Sequence, residues 1–307
     1  MTRHLLDIAD LSAADVRHIL ELSVCGLDQL GTPLAANGTA LGAALIFEKP
    51  SLRTRHSMEL AVVQLGGHPV ATKGEEIGFD LREPVEDITR ILCGYHAVLA
   101  ARVFEHGVLD RMAAVSTVPV VNMLSDTSHP LQALADALTM RQSLGELAGK
   151  VVAWVGDYNN VARSLGEVCA LLGAHVRYAC PKGFGPDEPE LERLGTLGTA
   201  TVRRNGRPIE AVEGAHAVHS DTWVSMGLEA DAAARRRAFE GFSVTTELMQ
   251  AAAPGAVFLH CLPAHRGLEV HPDVIDGPNS LVFRQGHNRM HTARGALAFV
   301  LGGGGQS

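Results

Sequence analysis

The sequence predicts an α/β fold made of two doubly wound parallel-sheet domains joined by bridging helices. The chain has 307 residues, 46% of them hydrophobic, which favours two domains over a single small core. Only 5% of the residues are aromatic, a scarcity that suits α/β layers better than a β-sandwich. Short apolar runs alternate with helical patterns through both halves, as expected for parallel sheets covered by helices.

The first half contains a strand–helix–strand unit. An apolar run at 43–47 predicts a buried strand, a helical pattern follows at 51–65 and stops at Gly66, and a short strand is predicted at 68–72. In such a unit the helix N-terminus lies at the carboxyl edge of the sheet, where open α/β sheets bind ligands. The other elements predicted for this half are a helix from a capping box at Ser12 to about Val24, a helix after Pro84, strands at 97–101 and 118–121, and a helix at 130–144.

The second half repeats the alternation. Its predicted elements are strands at 151–155, 176–179, 217–219 and 257–260, and helices at 161–172 and 288–301. We expect one domain at 1–145, completed by the C-terminal helix 288–302, and a second at 146–287, with the 130–144 helix as the bridge. Residues 303–307 are expected to form a disordered tail.

Composition excludes several functional classes. The formal net charge is −8 and no long basic run is present, so nucleic acid is not expected as a partner. No apolar run approaches the roughly 18 residues of a membrane span. The five cysteines are an odd number without a C-x-x-C pair, which predicts a reducing cytoplasm. Asp7 comes too early in the chain for a secretory signal.

The junction of the first strand and its helix is a candidate anion site. Ser51-Leu52-Arg53-Thr54-Arg55 places two hydroxyls, two guanidinium groups and free backbone N–H groups at a helix N-terminus. Together with the helix dipole, these groups favour a phosphate dianion. A serine N-cap followed by solvated arginines explains the local sequence equally well.

Two further clusters of the first half follow predicted strands. Arg102 ends the strand at 97–101, and His129-Pro130-Leu131-Gln132 begins a helix. A histidine near the positive end of a helix is expected to be neutral and able to donate an N–H to a developing oxyanion. Because the chain has 15 histidines, an ordinary cap-region histidine is the competing interpretation.

The first polar cluster of the second half argues against a dinucleotide site. Gly156-Asp157-Tyr158-Asn159-Asn160 lies where a G-x-G-x-x-G fingerprint would stand, but the later glycines are missing. The asparagines could hold an amino-acid carboxylate, or they could serve only a turn. This cluster therefore favours a small-molecule site over a nicotinamide enzyme.

The remaining clusters offer partners for an amine. Asp221, at the start of Asp221-Thr222-Trp223-Val224-Ser225-Met226-Gly227, suits an ammonium group and Ser225 a polar head group, with an Asx turn as the alternative. Cys261, within His260-Cys261-Leu262-Pro263-Ala264-His265, could be a nucleophile, a ligand or a pocket wall. A thiol hydrolase using His265, or a zinc site that adds His260 and His271, is conceivable, but neither matches a common motif. Arg289, in the predicted last helix, could bring one more guanidinium group back to the site, or it could lie on the surface.

In this order, the clusters closely resemble the aspartate/ornithine carbamoyltransferase family, and its ornithine branch in particular. The matching motifs are Ser51-Leu52-Arg53-Thr54-Arg55, His129-Pro130-Leu131-Gln132, Asp221-Thr222-Trp223-Val224-Ser225-Met226-Gly227, His260-Cys261-Leu262-Pro263 and Asn288-Arg289. They span nearly the whole chain. The Ser225-Met226-Gly227 and Cys261-Leu262-Pro263 elements point to ornithine rather than aspartate.

The resemblance implies a role for each motif. The phosphate of carbamoyl phosphate would be held by Ser51, the N–H groups of residues 52–54, Arg53 and Arg102. The carbonyl oxygen would be surrounded by Thr54, Arg102, His129 and Arg289, and the carbamoyl amide would be held by Gln132. L-Ornithine would be bound by Asn160, Asp221, Ser225 and Met226 at its head group, and by Cys261 and the Leu262 carbonyl at its side-chain amine. Thr54, Arg102, His129 and Cys261 would be catalytic. The family also implies no metal or organic cofactor, and a homotrimer or an assembly of trimers.

Two positions depart from the family pattern. Leu52 stands where the family usually has threonine, so its backbone N–H is retained and the hydroxyl is lost. Glu76 stands where a glutamine of the family touches carbamoyl phosphate, so it is included among the predicted carbamoyl phosphate-binding residues. Because an ionised carboxylate would repel a phosphate, the alternative is that Glu76 points away and that Lys73 or Arg82 compensates.

The reaction implied is carbamoyl transfer to L-ornithine, giving L-citrulline in arginine metabolism. Transfer to a related amine, such as N-acetylornithine or putrescine, is the alternative within the same class. From other classes, a nicotinamide-dependent oxidoreductase and a non-catalytic amino-acid or phosphate binding protein remain open on fold alone.

Overall fold

The computed structural model describes residues 2–224 and 229–302. Internal contacts divide the chain into two compact units, one formed by residues up to Ala135 together with the segment from His287, the other by Asp136–Gly286. Each boundary falls inside a continuous helix, Pro130–Leu144 and Val282–Val300. The predicted α/β class, with two parallel sheets and bridging helices, is confirmed. Within the described ranges, no helix is both long and apolar enough to span a membrane.

The first unit is built on a parallel sheet. Its strands are Ala35–Ala36 (β1), Thr39–Ala40 (β2), Gly42–Phe47 (β3), His68–Lys73 (β4), His96–Arg102 (β5) and Val120–Leu124 (β6). Strands β3 to β6 form a four-stranded parallel sheet in the order β4-β3-β5-β6, whereas β1 and β2 form a separate antiparallel pair. The central strands β3 and β5 are buried along most of their length. Their carboxyl ends are neighbours, since Phe47 pairs with Arg102.

Short helices cover this sheet. They are Ala13–Val24 (α1), Leu27–Leu30 (α2), Leu52–Gln64 (α3), Gly74–Ile77 (α4), Val85–Cys93 (α5), His106–Val115 (α6) and Pro130–Leu144 (α7), with a 3₁₀ turn at Ile8–Asp10. The capping box predicted for α1 is confirmed. The Ser12 hydroxyl accepts the Asp15 N–H at 3.1 Å, and the Asp15 carboxylate accepts the Ser12 N–H at 3.0 Å.

The second unit contains a five-stranded parallel sheet. Its strands are Val151–Val155 (β7), His175–Ala179 (β8), Val202–Asn205 (β9), Ala217–Ser220 (β10) and Val257–His260 (β11), in the order β11-β10-β7-β8-β9. The strand order reverses at the central strand β7, which is the point where such sheets bind ligands. The sequence analysis did not predict β9, because its Val-Arg-Arg-Asn segment is a polar edge strand without an apolar run.

The helices of the second unit are mostly short. They are Asn160–Leu171 (α8), Glu188–Thr196 (α9), Pro208–Val212 (α10), Ala232–Ala238 (α11), Thr246–Gln250 (α12) and Pro272–Ile275 (α13), with a 3₁₀ turn at Glu229–Asp231. The last helix, Val282–Val300 (α14), begins in this unit, and its residues from His287 belong to the first unit. Helix α14 begins at Val282, whereas the sequence predicted a start at 288. Gly286 interrupts the helical pattern there, although it is accommodated inside the helix. The predicted tail at 303–307 lies outside the described residues.

The C-terminal part of helix α14 is hydrogen-bonded to the end of α1, and both belong to the first unit. The Arg294 guanidinium donates to the carbonyls of Ser23 and Cys25 at 3.1 and 3.2 Å and to the Gln64 side chain at 3.0 Å. These bonds satisfy carbonyl groups that the end of a helix leaves without partners. At Gly295, a Cβ atom would lie only 2.7 Å from the Ile19 carbonyl oxygen. The two helices can therefore approach this closely only with glycine at that position.

Gly295→Ala is expected to lower the free energy of unfolding by about 1–3 kcal/mol, the usual cost of overpacking. Gly286→Ala is the matched control, because a Cβ there meets no atom within 4 Å and alanine is the better helix former. Urea unfolding of both variants checks the prediction. Equal stabilisation by the two alanines would contradict the close packing at Gly295.

Candidate active site

The first cluster forms at the carboxyl ends of β3 and β5. Ser51 is the N-cap of α3, and its hydroxyl accepts the Thr54 N–H at 3.3 Å and lies 3.0 Å from the Thr54 hydroxyl. The cap engages the Thr54 N–H, which is one of the predicted phosphate donors, whereas the predicted donors at Leu52 and Arg53 are not the N–H group that the cap uses. The junction predicted from the sequence is therefore a helix N-terminus beside Arg102.

Two buried guanidinium groups meet at the Thr54 hydroxyl. Arg289 donates to Thr54 Oγ1 at 3.1 Å and to Gln132 Oε1 at 2.6 Å, and Arg102 donates to Thr54 Oγ1 at 3.5 Å. All four side chains are at most 5% exposed. The structure thus brings together residues that the sequence places in four separate motifs. Such a group of fixed donors can stabilise negative charge on an oxygen.

His129 adjoins these arginines as a neutral group. Burial, followed by the positive charges of Arg289 and Arg102, holds the pKa of His129 well below its usual value. The neutral state expected from the sequence is confirmed. A neutral imidazole has one N–H to donate and adds no positive charge to an already cationic site.

The low pKa of His129 has a consequence for stability. Below about pH 6.5 the unfolded chain takes up a proton at this histidine that the folded chain does not, so the free energy of unfolding falls as the pH falls. Between pH 7.5 and 5.5, wild type should lose about 1.4 kcal/mol more than His129→Gln. Urea unfolding at both values measures this difference. Parallel losses in the two proteins would show that His129 protonates in the folded state.

The two positions that depart from the expected pattern lie at a neighbouring cavity. This cavity has a volume of about 590 Å³ and is lined by residues that include Ser51, Leu52, Lys73 and Glu76. The Leu52 side chain is 72% exposed. The Glu76 carboxylate accepts the Lys73 N–H at 3.0 Å, and Arg82 donates to the Glu76 backbone carbonyl at 3.0 Å. The carboxylate is thus occupied as a helix cap, while a ligand contact at Glu76 stays a prediction.

The second cluster forms at the carboxyl ends of β7, β10 and β11. The Asp221 carboxylate is 6% exposed. Its Oδ1 accepts the Thr222 N–H at 2.8 Å and the Cys261 thiol at 2.9 Å, and its Oδ2 accepts the Asn159 side-chain amide at 2.8 Å. The structure therefore joins Asp221 directly to Cys261. Asn160, the first residue of α8, is half-buried at the same edge.

The contacts around Cys261 are relevant to the two alternatives considered for it, a thiol hydrolase and a zinc site. The Cys261 thiol donates to a carboxylate, whereas a thiol hydrolase needs a base that takes this proton. His260 Nδ1 accepts the Leu262 N–H at 2.9 Å, and Leu262 has a left-handed φ of 57°. Among the described residues, the group that could hold a metal is Asp221, His260 and Cys261, which leaves out the predicted ligands His265 and His271.

Ser225 and Met226 lie outside the described residues, so their predicted contacts stay predictions. Asn159 and Asn160 were both candidates for a carboxylate contact, but only Asn160 was predicted to bind ornithine, and no bond between Asn159 and Asp221 was predicted. The N-cap role of Asn159 could have been predicted, since asparagine is a preferred N-cap and this one follows a central strand. The N-cap role concealed the second contact that the side chain makes with Asp221.

Comparisons with known proteins match both units. Residues 3–142 match the model of the aspartate/ornithine carbamoyltransferase carbamoyl-P binding domain, and residues 148–300 match that of the Asp/Orn binding domain. An ornithine carbamoyltransferase of Thermus thermophilus is 50% identical over 258 residues, which are 84% of each chain. One of Hyperthermus butylicus is 45% identical over 309 residues, with 97% of each chain covered.

Solved structures agree with these sequence matches. The ornithine carbamoyltransferase of Pyrococcus furiosus has a TM-score of 0.92 and 39% identity, with 98% of each chain covered. A curated relative from the same organism, 41% identical and covering 98% of this chain and 97% of its own length, is named an anabolic ornithine carbamoyltransferase. Similarity therefore extends over both clusters and the helices between them.

Proposed function

The chain belongs to the aspartate/ornithine carbamoyltransferase family, and from this membership we propose that it is an ornithine carbamoyltransferase. It transfers the carbamoyl group of carbamoyl phosphate to the side-chain amine of L-ornithine, giving L-citrulline and phosphate. The observation that carries the proposal is the convergence of Arg102 and Arg289 on the buried Thr54 hydroxyl at a helix N-terminus. This arrangement suits a substrate that carries both a phosphate and a carbonyl oxygen.

The first unit binds carbamoyl phosphate. Ser51, the N–H groups of residues 52–54, Arg53 and Arg102 hold the phosphate, because helix-end N–H groups and forked donors match its oxygens. Thr54, Arg102, His129 and Arg289 face the carbonyl oxygen. Gln132, whose Oε1 accepts from Arg289 at 2.6 Å, holds the carbamoyl NH₂ group in this proposal.

The second unit binds L-ornithine. The Asp221 carboxylate pairs with the α-ammonium group, together with Asn160, Ser225 and Met226 at the head group. Cys261 and the Leu262 carbonyl lie by the δ-amine. N-Acetylornithine has no α-ammonium group to pair with the buried Asp221, and putrescine has no α-carboxylate for the other head-group contacts, so the head-group site favours ornithine over both.

The chemistry requires charge stabilisation rather than a redox step. The lone pair of the neutral δ-amine attacks the carbamoyl carbon, and the carbonyl oxygen gains negative charge. The carbon–oxygen bond to phosphate then breaks with its electron pair leaving on phosphate, and the nitrogen passes one proton to the departing phosphate, which leaves as hydrogen phosphate. Arg102, Thr54, His129 and Arg289 stabilise the oxyanion. Phosphate is already a good leaving group, so the proposed step uses no metal or organic cofactor.

A panel of acceptors tests this function. With carbamoyl phosphate present, ureido product is measured for ornithine, N-acetylornithine, putrescine and aspartate. We expect kcat/KM to be highest for ornithine by about 100-fold, on the scale of one buried charge pair. Product with another amine and none with ornithine would overturn the acceptor. No product with any amine would overturn the reaction class and favour a binding protein.

We also propose that the chain assembles as a homotrimer. Leu52, Leu60 and Val63 on α3, and Val70 on β4, are large apolar side chains that are 41–72% exposed. Exposed apolar residues on adjoining elements are typical of a contact surface. Light scattering after size exclusion should give three times the mass of the 32.6 kDa chain, or a multiple of that trimer. The mass of a single chain would contradict the assembly.

We further propose that the enzyme works in the cytoplasm, in arginine biosynthesis. The five cysteines are all free thiols, which suits a reducing compartment. The biosynthetic direction is supported by the anabolic relative from Pyrococcus furiosus. Arginine auxotrophy of a deletion strain, relieved by citrulline, would support this role, and growth without arginine would contradict it where no second such enzyme is present.

A further inference from the structure

Asn159 uses both ends of its side-chain amide. As the N-cap of α8, its Oδ1 accepts the N–H groups of Val161 and Ala162 at 3.0 and 3.1 Å. Its Nδ2 donates to Asp221 Oδ2 at 2.8 Å. One planar group therefore connects the start of a helix that follows β7 to the carboxylate that follows β10.

The two contacts fix the orientation of the amide. If the amide were flipped, its NH₂ group would face two N–H donors and its oxygen would face a carboxylate oxygen, so both contacts would be repulsive. Aspartate could cap the helix but, when ionised, could not donate to Asp221. Serine could also cap, but its hydroxyl oxygen stands one bond closer to the backbone than the amide nitrogen. Asparagine is thus suited to do both at once.

Asn159 also bonds to a different carboxylate oxygen of Asp221 from the one that Thr222 and Cys261 contact. Thr222 and Cys261 both bond to Oδ1, whereas Asn159 is the donor to Oδ2 within the described part of the chain. Without this bond the hydrogen bonds given for the carboxylate all lie on Oδ1, so its plane can turn more easily. The bond between Oδ1 and the Cys261 thiol would then loosen as well.

We propose that Asn159 is a positioning residue that holds the Asp221 carboxylate in the orientation that receives ornithine. The expected effect on KM for ornithine rests on the proposed function. The expected effect on the orientation of the Asp221 carboxylate does not. It assigns to Asn159 a role separate from capping, and one separate from the direct ligand role proposed for Asn160.

Asn159→Ser separates the two roles, because serine is an equally good N-cap. We expect KM for ornithine to rise about 10-fold, the scale of one hydrogen bond to a charged group. KM for carbamoyl phosphate and the urea midpoint should stay close to wild type. Thr245→Ala is the matched control, since Thr245 caps α12 and touches neither Asp221 nor Cys261 among its hydrogen bonds. It should lower the urea midpoint and leave both KM values unchanged.

A second measurement does not depend on turnover. The Cys261 thiol should react with iodoacetamide several-fold faster in Asn159→Ser than in wild type, because its bond to Asp221 is loosened. Mass spectrometry of the modified peptide identifies the thiol, and Cys25 and Cys93 serve as internal controls. An unchanged Cys261 rate, or an unchanged KM for ornithine, would overturn the positioning role. Wild-type protein that lacks turnover but shows the faster alkylation in the variant would overturn only the proposed function.

Discussion

Arg53→Ala lowers kcat/KM for carbamoyl phosphate by between about 100- and 1,000-fold, the effect of removing one preorganised donor from a site where charge is stabilised. Arg53 is a half-buried residue in the first turn of α3, next to the Ser51 cap. Its guanidinium group is proposed to bind the phosphate that leaves, so its interaction grows as charge moves onto that group. Alanine leaves the backbone N–H in place but removes these charge-assisted bonds.

Arg55→Ala is the matched control for this experiment. Arg55 lies on the same helix, is exposed, and donates to Glu59 at 2.8 Å. Exposed ion pairs of this kind contribute at most about 1 kcal/mol, so kcat/KM should stay within about threefold of wild type. Steady-state kinetics of the two variants decides the matter. Equal losses in both would mean that the net positive charge of the helix end, rather than Arg53, binds the phosphate.

Asp221→Asn is expected to have a similarly large effect, but on ornithine alone. Asparagine keeps the shape of the side chain and removes the charge that is proposed to pair with the α-ammonium group. Losing one member of a buried charge pair lowers kcat/KM for ornithine by about 100-fold or more. KM for carbamoyl phosphate should stay close to wild type, because the proposed phosphate groups all lie in the other unit.

Asp187→Asn gives the corresponding control in the same unit. Asp187 is an exposed N-cap of α9, and asparagine caps a helix as well as aspartate does. Its kinetic constants should match those of wild type. If Asp221→Asn kept its KM for ornithine, the head group would have to be bound elsewhere. A parallel rise in both KM values would indicate a general disturbance instead of an ornithine contact.

Local patterns in the sequence were sufficient for the four-stranded sheet, for four strands of the five-stranded sheet and for six helices, whereas the helices α2, α4, α6 and α9 to α13 were not predicted. Apolar runs predicted β3, β5 and β7, and the capping box predicted the start of α1, because these signals arise from neighbouring residues. Strand β9 was missed since an edge strand with arginines at its centre has no apolar period. The start of α14 was placed too late because Gly286 resembles a helix stop when only the sequence is considered.

The residues of the two clusters could be named from the sequence, but the contacts between them could not. The hydrogen bond between Gln132 and Arg289 joins positions 157 residues apart, and no local pattern encodes such a distance. The resemblance of the motifs to a known family supplied the grouping that spacing alone could not. The resemblance did not identify the contact of Asn159 with Asp221 either, because the capping role already accounts for an asparagine there. This contact depends on how β7 and β10 pair, which a local pattern does not encode.

The order in which the ribosome makes the chain matters for the first unit. That unit takes its last helical segment from beyond His287, whereas the second unit is one continuous stretch of sequence. Thr54 and Gln132 are therefore synthesised long before Arg289 and Arg294, which belong to the same unit. The second unit can be completed on the ribosome first, and the cluster around Thr54 is completed only after the segment from His287 has been made.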